Sequence, residues 1–227
     1  MRLSICKIAH SKYGITFWIS LITVAILSFS IVASVKAAEP GFAYGLKNVS
    51  GIRGNKQWHW LDYAPQGYNN FSRSVVGICN DSSCLNSQRI KTGYAYGNHI
   101  GNSSGYAKQY VQIKDNAVIY FGDWLPDQRW YKFQVLYSNS AARWEVWRDD
   151  VPRWFYTGNA GFTSGSYAQV GGESASPVYF NVYGLDLQYK VGTNGWVFYN
   201  YNSTLKANAC ISPAYTYGFR AWVAVGC

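Results

Sequence analysis

Glu173 closes the run Tyr167-Ala168-Gln169-Val170-Gly171-Gly172-Glu173, an alternating segment that ends on an acid. A carboxylate there can act as a general base on water. The two glycines before it leave room for a substrate backbone to come close. The same letters also describe an ordinary turn after a strand. Glu145 is the second acid that stands out, because it lies mid-strand between Trp144 and Trp147. The other acids, among them Asp62, Asp81, Asp115, Asp149, Asp150 and Asp186, read as loop or strand-end residues.

Other chemistries find weaker footing. Gly101-Asn102-Ser103-Ser104-Gly105 matches the letters of a serine nucleophile elbow. That elbow needs a strand before it and a helix after it, whereas here it lies in a Gly/Asn/Ser loop. Past the N-terminal segment, His59 and His99 are the available imidazole bases, and they lack metal-ligand spacing. Asp123 and Asp127 have the oxygens for calcium but read as solvated loop acids. No metal and no cofactor are therefore expected. Tryptophan and tyrosine are abundant, and on paired strands they serve either as core or as flat platforms on which sugars stack. Trp144, Trp147 and Tyr94, with Glu145 beside them, are the candidate binding residues of that kind.

The elements that must position these groups are strands. Tyr131, Phe133, Val135 and Tyr137 alternate with Lys132, Gln134 and Leu136, which places the first set on one face. Ser138–Ala142 reads as a hairpin loop, Arg143–Arg148 as the return strand, and Asp149-Asp150 as the next turn, followed by 151–156. Further strands are expected at 57–62, 73–78, 88–95, 107–113, 117–121, 166–172, 178–189, 195–200 and 219–225. Several are apolar on both faces, which suits two packed sheets. The expected fold is all-β: an antiparallel two-sheet sandwich of jelly-roll or concanavalin A-like type.

The chain has 227 residues and opens on Arg2, Lys7 and Lys12, an apolar stretch over 15–35, and Val35-Lys36-Ala37-Ala38. This reads as a secretory signal over 1–37, cut after Ala37. Left uncut, its apolar run is long enough to anchor the chain in a bilayer. One sandwich domain, 38–227, is expected outside the cell. Lys36 leaves with the three basic residues above, so the net charge of +9 drops by four to +5. The remaining bases are scattered, not gathered into the patch that nucleic-acid binding requires. With 48% hydrophobic and 14% charged residues, the chain is not a disordered one. Once Cys6 leaves, four cysteines remain, the even number of a disulfide-bonded secreted domain. The most local pairing is Cys79–Cys84 with Cys210–Cys227.

Tyr131-Lys132-Phe133-Gln134-Val135, a short loop, Arg143-Trp144-Glu145-Val146-Trp147, a turn, and Gln169-Val170-Gly171-Gly172-Glu173 follow one another in order. Over about 130–175 this resembles the C-terminal half of the neprosin-type glutamic peptidases, and by extension the eqolisin-type. The resemblance implies a concanavalin-like sandwich and Glu173 as the catalytic glutamate. It also implies a second Glu or Gln that supports the attacking water or the oxyanion. No upstream glutamate fills that place. Gln88, Lys91 and Gln112 are the candidates, and a lysine there would keep Glu173 ionised. Gln169, four residues from Glu173 and about 13 Å away at strand rise, is not a direct partner. Two functions follow as expectations: a secreted glutamic-type acid endopeptidase acting on polypeptide, and a non-catalytic module binding polysaccharide or the cell envelope.

Overall fold

The computed structural model describes residues 41–60, 71–84, 88–97, 106–113, 117–126, 128–156, 160–174, 181–213 and 222–226. The leader 1–37, His99, the Gly101–Gly105 loop, the Asp123 side chain, Asp127 and Cys227 lie outside that description. Among the described residues no helix is long and apolar enough to cross a membrane.

The described chain is built of antiparallel strands. They are β1 (Gly41–Trp60), β2 (Phe71–Cys79), β3 (Arg89–Gly97), β4 (Tyr106–Ile113), β5 (Ala117–Pro126), β6 (Trp130–Ser138) and β7 (Arg143–Arg148). Then follow β8 (Val151–Tyr156), β9 (Gly165–Ser174), β10 (Asn181–Val191), β11 (Val197–Phe198), β12 (Ser203–Ala207), β13 (Ala209–Pro213) and β14 (Trp222–Gly226).

Strand β1 serves two layers. Its first half pairs with β12 and β9, and from β9 the sheet runs through β2, β3 and β4 to β5. Its second half pairs with β6 and β10, which lead to β7 and β8 on one side and β14 and β13 on the other. Gly51, at φ +77°, marks the junction, a left-handed conformation that glycine adopts at little cost. The sheet thus curls into a jelly-roll sandwich. Val76, Ile78, Val111 and Val170 of one layer meet Phe133, Val135, Trp144 and Val182 of the other in a single core. Asn55 ties the layers together. Its amide donates to the carbonyls of Gly77 (2.8 Å) and Gln169 (2.9 Å), and its oxygen accepts from the Tyr199 hydroxyl (3.0 Å).

Two expectations about elements need correction. The strand expected at 57–62 is the end of a 20-residue strand that starts at Gly41. Gly41, Gly45, Gly51 and Gly54 break the apolar alternation there, and pairing on both sides overrides weak local preference. The strand expected at 195–200 shrinks to Val197–Phe198, whereas Ser203–Ala207 and Ala209–Pro213 are strands that polar composition hides. Cys79 and Cys84 form a disulfide. Cys210 is also disulfide-bonded, to a partner outside the described residues.

The hairpin between β7 and β8 is a two-residue turn with Asp149 at φ 51° and Asp150 at φ 63°. Both residues are left-handed, as a type I′ turn demands. The Asp149 carboxylate accepts the Lys132 N–H at 3.0 Å, so Asp149 has a second task. Asp150 only meets Lys132 at the surface, in an ion pair with its own side chain 64% exposed. Such pairs contribute little. Asp150→Gly is therefore expected to stabilise the protein by about 0.5 kcal/mol through relief of the left-handed conformation. A urea melt of the variant beside the parent checks the sign.

Candidate active site

Strand β9 alternates strictly. Ala168 and Val170 face the core between the layers, while Tyr167, Gln169, Gly171 and Glu173 face the other way. The registers carry that second face across the sheet. Glu173 stands beside Phe42 of β1 and Arg73 of β2. Gln169 stands beside Leu46 and Gly77, and Gly77 beside Lys91 of β3, which is opposite Gln112 of β4. Tyr44, Leu46, Val75, Cys79 and Cys84 form a small apolar cluster on this face, next to the polar groups.

Glu173 is the centre of the polar set. Its Oε1 accepts hydrogen bonds from the Tyr44 hydroxyl and the Lys91 ammonium. Its Oε2 faces the Arg73 guanidinium at 3.6 Å. Lys91 is almost fully buried, whereas the Glu173 side chain keeps 12% of its surface open. Aromatic faces support both cations: Lys91 Nζ lies 5.7 Å from the centre of the Tyr44 ring and Arg73 Cζ 5.5 Å from that of Tyr110. Tyr110 is itself fixed by donating to the Ser74 carbonyl at 2.9 Å.

Burial alone would raise the Glu173 pKa. The charges of Lys91 and Arg73, with the hydrogen bonds from Lys91 and Tyr44, outweigh it and hold the carboxyl at about 2. Lys91 moves the other way from what its partner favours. Burial lowers it to about 8, more than Glu173 raises it. The pair is ionised between those limits. Tyr44 is pushed up by burial and by the neighbouring carboxylate, so it remains a donor.

A stability consequence follows from Glu173. Its folded pKa lies below its ordinary value of 4.5, so its contribution is present above pH 4.5 and lost as the pH falls through about 2. Across that window the protein is expected to lose on the order of 3 kcal/mol. Urea melts at a series of acid pH values measure it, and Glu173→Gln is expected to lack this segment of the decline.

The sequence candidates fall into three groups. Glu173 and Lys91 touch, and Gln112 is buried directly across from Lys91. Gln88 lies apart, exposed beyond the end of β3, where its side-chain oxygen accepts from Asn80 at 2.7 Å. The aromatic set does not gather on the site face. Tyr94 and Trp144 are core residues, and Trp144 donates its indole N–H to the Phe162 carbonyl at 2.9 Å. Glu145 is buried with Arg143 3.7 Å away, and Trp147 is half-buried. Trp144 does line a cavity of about 460 Å³ with Tyr137, Arg143 and Phe162, in the other layer. His59 is fully buried in the core, its pKa lowered by burial to about 3, so it stays neutral. Among the described residues no group of three His, Cys, Asp or Glu is placed to hold a metal.

Sequence reasoning missed Tyr44 and Arg73. Arg73 sat inside an expected strand, and an arginine on a two-sided buried strand was the available signal. Tyr44 precedes the first expected strand and gave none.

The chain matches no family model. No curated protein matches it either. Among solved structures the fold is that of the eqolisin-type glutamic peptidases over most of the chain. Scytalido-glutamic peptidase, in a complex with a peptide-based transition-state analogue, aligns with a TM-score of 0.53 and 11% identity, covering 84% of this chain and 98% of that one. The same peptidase with a transition-state analogue inhibitor gives 0.55 and 11%, over 83% and 99%. The eqolisin SCP-B, in a complex with the tripeptide Ala-Ile-His, gives 0.49 and 11%, over 84% and 98%.

Proposed function

We propose that this protein is a secreted glutamic-type endopeptidase that works in acid, with Glu173 as the general base on water and Lys91 as the charged group beside it. One observation carries the reading: the carboxylate that follows the Gly-Gly pair is set into the polar face of the sheet among the Tyr44 hydroxyl, the Lys91 ammonium and the Arg73 guanidinium, which favour its ionised form in acid. A base must be unprotonated at its working pH, and few carboxylates meet that condition in acid. The 12% of the Glu173 side chain that stays open gives water an approach to the carboxylate. Of the candidates for the second position that the resemblance implies, Lys91 is the one that contacts Glu173. An ammonium there can stabilise the oxyanion of the tetrahedral intermediate, as a buried positive charge does at developing negative charge.

The sequence also raised a polysaccharide-binding module. It draws less support, because Tyr94 and Trp144 are spent on the core. The peptidase reading is tested by incubating the purified protein with a denatured, mixed-sequence protein in acid. New peptide termini are expected with the parent and not with Glu173→Gln. Equal cleavage by the two would overturn the role of Glu173.

A further inference from the structure

Gln169 has no part in the chemistry above, yet burying its amide on the site face is costly. It is fully buried, and among the described residues neither its Oε1 nor its Nε2 has a hydrogen-bond partner. Buried amides nearly always keep such bonds, and each one unmade costs ~1–3 kcal/mol. Gln169, Gly77 and Lys91 form one row across β9, β2 and β3. Gly77 has no side chain, so nothing in that row separates the amide from the lysine. A Cβ on Gly77 would lie 2.9 Å from Lys91 Cβ and 3.0 Å from Gln169 Oε1, so the amide oxygen and the lysine stem flank the same point. The two Cα positions are two strands apart, about 10 Å, a gap their side chains together can close. Lys91 nevertheless turns along the sheet to Glu173, in the row of Phe42, Arg73 and Ala95.

We propose that the Lys91 ammonium has two seats: Glu173 Oε1, where it is found, and Gln169 Oε1, which takes it when Glu173 accepts a proton. This rests on the reading of Glu173 as the base. In that step the proton of the attacking water passes to Glu173 and the hydroxyl adds to the peptide carbonyl carbon. Glu173 becomes neutral, and Lys91 loses its counter-charge in a place where an unpaired ammonium is costly. The other groups that act on Lys91 do not replace it. Arg73 and Arg89 are cations, and the Tyr44 and Tyr110 hydroxyls are already fixed by donating to Glu173 and to the Ser74 carbonyl, whereas Gln169 Oε1 makes no hydrogen bond among the described residues. Gln169 is a positioning residue that holds the ammonium close and lets Glu173 release it.

The test is a double-mutant cycle read by thermal melting at about pH 6, between the ordinary carboxyl and lysine ranges. In the parent background Gln169→Met is expected to raise Tm by about 2–4 °C, because it removes an unpartnered amide. In the Glu173→Leu background the same change is expected to lower Tm by a similar amount, because Lys91 then depends on the amide. A shift of the same sign in both backgrounds overturns the proposal. So does a reversal seen with Gln112→Met and not with Gln169→Met. Should Glu173→Leu not fold, the parent and Gln169→Met are melted at about pH 6 and about pH 1.5, on either side of the Glu173 titration, and the same reversal is expected. Melting needs no turnover. A protein that cleaves nothing ends the peptidase reading and leaves this result to stand or fall by itself.

Discussion

Glu173→Gln is expected to fold and to lose peptide cleavage by about a thousandfold or more, within the range general-base removal produces. The shape of the side chain is kept, so Tyr44 and Lys91 can still donate to the amide oxygen. What goes is the charge. Without it the site has no base at any pH, whereas a protonated carboxyl can be restored by raising the pH. The change also leaves Lys91 and Arg73 without the carboxylate they share. Removing one partner of a buried pair costs about 3–5 kcal/mol when the other must stay charged. Lys91 is not left stranded, because the amide oxygen of the new side chain and Gln169 Oε1 both remain as acceptors for it. The stability loss at neutral pH is therefore expected nearer about 2 kcal/mol. Circular dichroism and a melt separate this modest loss from the large loss of activity.

Gly171→Ala is expected to destabilise the protein by about 3–5 kcal/mol, the size reserved for backbone strain with a clash. Gly171 sits at φ +136°, and a Cβ on it would lie 1.9 Å from the Ala43 carbonyl oxygen of the neighbouring strand. That atom is backbone within a paired ladder and cannot step aside cheaply. The consequence reaches the site, because Gly171 lies between Gln169 and Glu173 and beside Tyr44 in register. Movement of β9 away from β1 would part Tyr44 from Glu173. A variant that unfolds at a denaturant concentration no lower than the parent's would contradict this account of the Gly-Gly pair.

The glycine pair illustrates what sequence could and could not supply. Gly171-Gly172-Glu173 was visible as room beside an acid, and the structure gives the reason for Gly171 as close strand packing. The sandwich was legible because Tyr131, Phe133, Val135, Trp144 and Val146 alternate and then meet in one core. Strand β1 was legible only at its end, inside the strand expected at 57–62, since the glycines and polar residues before it do not alternate and only pairing on both flanks makes them a strand. Glu173 and Lys91 were each legible as candidates, but the contact between them is a diagonal across three strands that no spacing rule encodes. Tyr44 and Arg73 entered the site by register alone. The reverse holds for Trp144 and Tyr94, where aromatic composition suggested a platform and burial made them core.

The most direct measurement is the pH profile of kcat/KM for cleavage of a denatured, mixed-sequence protein from about pH 1.5 to 9, a span that covers both ionisations. The account predicts an acid limb near 2, where Glu173 takes up its proton, and an alkaline limb near 8, where Lys91 loses one. An acid limb at the ordinary carboxyl value of 4.5, or no cleavage at any pH, would contradict it.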